Sequence, residues 1–367
     1  MEVRQTSFER PFFSICIPQY NRTEFLIEAC KSLAGQTFKN FEVCISDDCS
    51  TDGMEQELLD YLTTSGLPFV YRRQERNTRY DGNLRASIAL SEGEYCFLLG
   101  NDDCLASPDT LQEIYDEMQQ YGPLGVVITN FEDFATGRQV RRMKSTGVVG
   151  AGPGVAADHY RNVSFVSGVI LNGARARALT TAKWDGSEMY QMYMVCRLIA
   201  EGGQLLAVDQ IAIRCGIQIP GAQVDSYARK PRLRPCPIVE RRHTFDQLGR
   251  LVIDAIEPFA NSAERQQLAE RVLQQLLLFT YPYWIFEFRR VQSWNYAAGI
   301  CLGMRPRNIT QGIALNWPRR LRISSLYSAV SLVGLLSPVS LFDHLYPRLH
   351  SFSKSRAATM VATLISR

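Results

Sequence analysis

The sequence predicts an α/β protein: a mostly parallel, doubly wound sheet flanked by helices, followed by a helical C-terminal appendage. Two observations predict it. Strand-length apolar runs alternate with segments whose apolar residues recur at helical spacing, and the connections are short, as in successive βαβ units. The acid-rich clusters Asp47–Gly53 and Asn101–Asp103 each follow such a run. In sheets of this kind ligands bind beyond the carboxyl ends of the strands.

Phe12–Pro18 is an apolar run closed by proline and reads as a buried strand. Glu24–Gln36 reads as a helix, since Phe25, Leu26, Ala29, Cys30 and Leu33 share one face. Phe41–Ser46 is the second strand, ended by the acidic cluster; a helix then runs to Leu62, and Pro68–Arg72 is a third strand. Asn83–Ser91 is helical and Glu94–Leu99 is again a strand. Beyond Tyr121 come a strand at Gly125–Asn130, a loop rich in Gly and basic residues over Gly137–Gly154, a strand-like stretch at Val163–Leu171, and a helix over Met189–Glu201. Three prolines within Arg229–Pro237 forbid regular structure. They divide a domain of residues 1–228 from a helical, basic region of residues 238–367, with 229–237 as the linker. Val239–Phe259 and Ala263–Phe288 both suit amphipathic helices.

The chain has 367 residues, 46% of them hydrophobic, enough for one large domain and an appendage. Its ten cysteines and four histidines show no zinc-type spacing and no disulfide framework. Met1–Arg10 has no apolar run of the kind a signal peptide needs, so the expected compartment is the cytoplasm. The net charge of +3 hides an asymmetry: ten Arg and one Lys against Asp343 give +10 over residues 288–367, leaving −7 for residues 1–287. A basic end of this kind suits an anionic surface.

Two acidic loops on one sheet edge repel each other, and a divalent cation with a nucleotide removes that conflict. Asp47 or Asp48 can accept a hydrogen bond from the imide N–H of uracil or an analogous group, and Tyr20 offers a stacking face. Asp102 and Asp103 suit Mg²⁺ or Mn²⁺, which neutralises a nucleotide diphosphate and makes it a competent leaving group.

Three segments in this order, Phe13–Arg22, Phe41–Gly53 and Gly93–Asp103, resemble the family 2 glycosyltransferases, inverting enzymes with the Rossmann-like GT-A fold. The resemblance covers roughly residues 12–215. Pro18-Gln19-Tyr20-Asn21-Arg22 is similar to that family's Pro-x-Tyr-Asn-Arg turn, and Asp47–Gly53 to its Asp-Asp-x-Ser-x-Asp loop for base and ribose. The resemblance implies a UDP-, GDP-, CDP- or dTDP-sugar donor held by Pro18, Tyr20, Arg22, Asp47, Asp48, Asn83, Arg85, Asn101 and Asp102. With Gly93-Glu94-Tyr95 aligned to the family's Gly-Glu-Tyr, the usual Asp-x-Asp becomes Gly100-Asn101-Asp102, and the first acid is lost. A branch that looks like the abequosyltransferases of O-antigen synthesis has a similar Leu-Gly-x-Asp-Asp arrangement, preceded by a helix of the form Asp81-Gly82-Asn83-Leu84. That match makes Asp102 the expected metal ligand, with Asp103 and Asn101 helping directly or through water. An inverting transfer also needs a general base. The family's late Glu-Asp pair falls on Glu188-Met189, so Glu188 is the expected base and Asp185 its alternate; Ser167-Gly168 is expected on the acceptor side.

Ile323–Phe342 holds no charge, but six serines, Gly334 and Pro338 dilute it, so a surface-lying segment is expected rather than a membrane span. The aromatics Tyr281, Tyr283, Trp284, Phe286, Phe288, Trp294 and Tyr296 beside Arg289 and Arg290 suit a membrane interface. The expected partners are a nucleotide sugar, a glycan or polyprenyl-diphosphate-linked acceptor, and the cytoplasmic membrane face. No nucleic acid is expected, because no recognised binding motif accompanies the basic end. A sugar-phosphate nucleotidyltransferase would need a glycine-rich loop where Pro18–Arg22 stands. A non-catalytic nucleotide- or carbohydrate-binding protein of the same fold is the alternative, given Gly100 and Met189 where acids are usual.

Overall fold

All seven residues of Phe41–Asp47 and six of the seven in Phe13–Gln19 are buried. Strands covered on both faces lie in the middle of a sheet with helices on either side. The computed structural model, which describes residues 2–5, 10–222, 245–291 and 294–344, shows that arrangement. The chain divides into two compact units, Met1–Arg229 and Lys230–Arg367. The 229–237 segment, read as a linker, lies outside the described residues.

In the first unit the strands are β1 (Glu2–Gln5), β2 (Phe13–Gln19), β3 (Phe41–Asp47), β4 (Phe69–Arg73), β5 (Tyr95–Leu98), β6 (Cys104–Leu105), β7 (Leu124–Asp133), β8 (Gln139–Val140), β9 (Gly147–Gly150), β10 (Val169–Asn172) and β11 (Gln204–Cys215). The helices are α1 (Thr23–Ala34), α2 (Glu55–Thr64), α3 (Arg79–Ala89), α4 (Thr110–Gln119), α5 (Pro153–His159), α6 (Gly173–Ala178) and α7 (Tyr190–Ala200). The sheet order is β1-β4-β3-β2-β5-β10-β7-β11-β6, with β8 on β7 and β9 on β11. From β4 to β5 every pairing is parallel; β10 then runs antiparallel between β5 and β7, and β7 pairs parallel with β11.

The register positions the site. Gln19 lies opposite Asp47, Asp47 opposite Arg73, and Cys16 opposite Leu98. The loops after β2, β3, β4 and β5 therefore emerge at one edge. Beneath them Phe25, Leu26, Ala29, Cys30 and Leu33 of α1 are buried, as the helical spacing predicts. Seven described cysteines are buried and two, Cys49 and Cys215, are half-buried; all are free thiols. Burial pushes Cys30 up to about 12, so it stays protonated and acts as a small hydrophobe.

The strands β1, β6, β8, β9 and β11 are not expected from the sequence, and β8 and β9 lie in the Gly137–Gly154 segment read as a loop. The stretch Val163–Leu171 becomes strand only from Val169, because Gly168 adopts φ 77° and its Cα hydrogen faces Thr129, where a Cβ would lie 2.4 Å from Oγ1. β11 is the longest strand at 12 residues, yet its partnering with β7 is irregular between Ala207 and Ile213. That irregularity breaks the alternation by which a strand is recognised.

The second unit is helical: α8 (Phe245–Ile256), α9 (Ser262–Gln275), α10 (Tyr281–Val291), α11 (Trp294–Gly303), α12 (Pro306–Ile309) and α13 (Trp317–Leu336). The expected helix over Ala263–Phe288 is split by a π-helical turn at Leu276–Thr280. Pro282, which has no N–H to donate back into that turn, accounts for the break. The aromatic group expected at a membrane interface is divided: Tyr281 and Phe286 are buried, Trp284, Phe288 and Tyr296 half-buried, and Tyr283 and Trp294 exposed. Tyr281 is fully buried with its hydroxyl on Ser331, Phe286 stacks on Phe342, and Trp284 stacks on Phe245. Nearby charges are also engaged: Arg289 donates to the carbonyls of Gly334 and Ser337, and Arg319 and Arg322 pair with Glu270.

One close approach in the first unit admits only glycine. A Cβ on Gly125, early in β7, would lie 2.5 Å from Gly203 Cα in the turn before β11. Gly125→Ala is expected to destabilise the protein by about 1–3 kcal/mol, as overpacking does. A lower urea midpoint at unchanged slope would show it; an unchanged midpoint would refute it.

Candidate active site

Among the described residues five non-glycines have left-handed backbone: Asn21 (φ 52°), Arg22 (58°), Cys49 (64°), Arg79 (62°) and Glu188 (57°). Each such residue costs roughly 1–2 kcal/mol. Together they approach the whole stability of a domain, so other contacts must hold them. All five belong to loops that hydrogen bonds join into one cluster.

The turn after β2 is the centre of that cluster. Gln19 accepts from Asp48 N (2.8 Å) and Asn83 Nδ2 (2.9 Å) at its carbonyl, and from Asn101 Nδ2 (2.7 Å) at its side chain. Asn21 N donates to Ser50 Oγ, and Thr51 N donates to Asn21 Oδ1. Thr23, the first residue of α1, donates through N and Oγ1 to Asp52. Arg22 pairs with Asp102 at 3.0 Å and lies over the Phe25 ring. Pro18 is the penultimate residue of β2 at this edge, and Tyr20, just past the strand, is 47% exposed, free to stack on a planar group.

Asp47 and Asp48 are buried, each with one oxygen occupied. Asp47 accepts from Ser50 N (2.7 Å), and Asp48 accepts from Thr78 N (2.6 Å) and Oγ1 (2.8 Å). Desolvation raises Asp47 above the usual carboxylate range, against the pull of Ser50.

The acid loop separates the two carboxylates expected to bind metal. Asp102 is partly open, with a side-chain exposure of 31%. Asp103 is buried: one oxygen accepts from Ser167 Oγ, the other from Gly216 N at 3.0 Å. Burial, together with the neighbouring charge of Asp102, pushes Asp103 up to about 7. Enclosed in this way, Asp103 braces the loop, and Asp102 is the more open of the two carboxylates. Ser167 is occupied in the same way. Its hydroxyl serves Asp103 and Gly100 N, and both Ser167 and Gly168 are buried, so they stand behind the acid loop and not on an open acceptor wall. Asn101 likewise spends its amide on Gln19.

Among the described residues no three His, Cys, Asp or Glu side chains stand where they could hold a metal on their own. A nucleotide diphosphate brings its own oxygens, however, and Mg²⁺ is ordinarily held by one or two carboxylates with phosphates and water. Asp102 alone meets that requirement. Arg22 is the cation already beside it.

On the far side of α3, Arg85 grips Asp185 with both guanidinium nitrogens, at 2.7 and 2.8 Å, and donates to Thr181 O. Arg85 and Asp185, expected as a donor contact and an alternate base, are therefore each other's partners. Glu188, three residues on, is exposed. Sequence reasoning missed Gln19, Thr78, Asp81 and Arg142. The Arg142 guanidinium donates to the carbonyls of Thr129, Phe165 and Ser167 and so steadies the turn behind Asp103. Nothing in its basic loop marks it out from Arg141 in the sequence.

The chain resembles known proteins. Residues 14–171 match the model of Glycosyl transferase family 2. Abequosyltransferase RfbV of Salmonella typhimurium is 43% identical over 95 residues, which is 25% of this chain and 28% of that protein. The amylovoran biosynthesis glycosyltransferase AmsB of Erwinia amylovora is 36% identical over 93 residues, 25% of this chain and 31% of that one. The chain thus matches about a third or less of the length of these relatives. S. aureus TarS 1–349 in complex with UDP superimposes with a TM-score of 0.57 at 17% identity, covering 88% of this chain and 90% of that one, a likeness of fold. Residues 14–171 are accordingly a family 2 glycosyl transferase domain, set in a chain with the GT-A fold.

Proposed function

We propose that this protein is an inverting glycosyltransferase that moves a sugar from a nucleotide-diphosphate sugar to a hydroxyl of a glycan or lipid-linked glycan in bacterial surface polysaccharide synthesis. One observation carries the reading. The turn at residues 19–23 is bonded to both acidic loops at once, so a nucleotide at one places its diphosphate at the other. The likeness to RfbV and AmsB, and the UDP bound by TarS, support the same donor class.

In this mechanism Tyr20 stacks on the base, and the Asp47–Asp48 loop holds base and ribose. Asp102 faces the diphosphate, where a bound Mg²⁺ or Mn²⁺ supplies charge neutralisation; Arg22 adds a fixed positive charge beside it. Glu188 accepts the acceptor hydroxyl's proton as the oxygen attacks the anomeric carbon opposite the leaving group. The new carbon–oxygen bond forms, the bond to phosphate breaks with its electron pair, and the configuration inverts. Glu188 is preferred to Asp185 because the latter's carboxylate is held by Arg85.

The protein is read as peripheral on the cytoplasmic membrane face, where a polyprenyl-diphosphate-linked acceptor would lie. Among the described residues no helix is long and apolar enough to cross a membrane. Leu321, Ser325, Ser328, Leu332 and Leu336 of α13 follow one another at spacings of three and four, and Leu332, Val333 and Leu336 are 60, 58 and 70% exposed. An uncharged exposed stripe beside a strongly basic chain end suits an anionic bilayer surface.

Three experiments test these readings. In a screen of nucleotide sugars with Mn²⁺, the wild type should turn over one donor; Asp102→Ala should lose metal-linked donor binding, and Glu188→Gln should keep donor affinity while turnover falls about 100-fold or more. Binding without turnover in the wild type would favour the non-catalytic alternative. Rebuilding the common motif with Gly100→Asp should destabilise by about 1–3 kcal/mol and not raise activity. Its Cβ alone would lie 2.9 Å from Asp103 Oδ2 and 3.3 Å from Ser167 Oγ. A higher melting temperature would contradict this packing. On anionic vesicles the full chain should float, and Leu332→Asp with Leu336→Asp should lower the bound fraction about tenfold; equal recovery would remove the membrane reading.

A further inference from the structure

Asp81, in the first turn of α3, has no role in the chemistry above, yet it is the most heavily bonded carboxylate near it. Its side chain is buried, with the residue 2% exposed. One oxygen accepts from Gly186 N (2.8 Å) and Glu188 N (2.9 Å), the other from Tyr190 N (3.0 Å). Three N–H groups on alternate residues cannot converge on one point from an extended or a helical chain. They converge here because Gly186 (φ 89°) and Glu188 (φ 57°) are both left-handed. The result is a main-chain nest of the kind that binds anions, filled by the protein's own carboxylate.

That carboxylate is what holds Glu188 in a conformation its side chain disfavours. Arg85, one helical turn after Asp81, fastens the same loop through Asp185, and Tyr80 Oη donates to Gln191 at 3.1 Å. The other faces of α3 are tied to the nucleotide side: Asn83 donates to Gln19 O, and Thr78 before the helix donates to Asp48. One short helix thus spans both halves of the cleft.

We propose that Asp81 is a positioning residue: by filling the nest of residues 186, 188 and 190 it fixes Glu188 in place relative to the donor-binding loops. The proposal rests on the reading of Glu188 as the general base. A misplacement of about 1 Å in such a group can cost 100-fold in rate.

The test uses the full chain with Asp81→Asn, Glu188→Gln and the double variant, measured for kcat, donor KM and amide hydrogen exchange at residues 186, 188 and 190. Asparagine turns an N–H donor toward the nest in place of one acceptor. D81N should lower kcat about 10- to 100-fold with donor KM within about threefold. The three amides should exchange faster, and the double variant should be no slower than E188Q. Wild-type kcat in D81N, unchanged exchange, or fully multiplicative losses in the double variant would overturn the proposal. If E188Q keeps full turnover, the base reading fails; a loss in D81N alone would then show that Asp81 does not act through Glu188. Asp81→Glu, which keeps the charge and both acceptors one methylene further out, should fold and lose less kcat than D81N. Should D81N not fold, Asp81→Ser takes its place, and wild-type kcat with unchanged exchange in D81S would refute the idea equally.

Discussion

The cleft depends on one turn whose backbone is itself strained. Asn21 and Arg22 are both left-handed, and that conformation lets a five-residue segment face three elements at once: the acidic loop after β3, helix α3 and the acid loop after β5. Net hydrogen bonds contribute about 0.5–1.5 kcal/mol each. The bonds around Gln19, Asn21 and Thr23 are numerous enough to offset the conformational cost of the two residues.

Much of this was legible in the sequence, for a reason that lies in parallel sheets. The apolar runs at Phe13, Phe41 and Tyr95 end in register, so residues that follow them in sequence must be neighbours in space. The sequence placed the acidic loops, Tyr20 and Asp102 at this one edge on that ground. What could not be read depends on partners far along the chain. Asp102 and Asp103 look equivalent as adjacent acids, and only Ser167 and Gly216, arriving from other strands, make the second a buried brace. Asp81 reads as an ordinary acid in a first helical turn until a loop more than a hundred residues later closes over it. β11 escaped because its irregular pairing erases the period of two, and composition does not tell the buried Tyr281 and Phe286 from the exposed Tyr283 and Trp294 of the same aromatic cluster.

The missing first acid of the motif has a packing cause as well as a chemical effect. The space beside Gly100 is filled by the Asp103–Ser167 pair, so the fold has exchanged a surface carboxylate for an internal one. Charge at the cleft falls accordingly, and a single acid faces a single arginine. Such a balanced pair gains little net stability in a partly exposed place. Its value lies in holding Asp102 pointed at the opening.

The cysteines bear on how inhibition of this protein should be understood. The two half-buried thiols, Cys49 and Cys215, both sit at the cleft: one in the left-handed bend of the acidic loop after β3, the other next to the Gly216 N–H that braces Asp103. An alkylating reagent that reached either would distort a loop no catalytic thiol occupies. Loss of activity on such treatment, and its protection by a bound nucleotide, would then map the walls of the cleft and say nothing of a cysteine nucleophile.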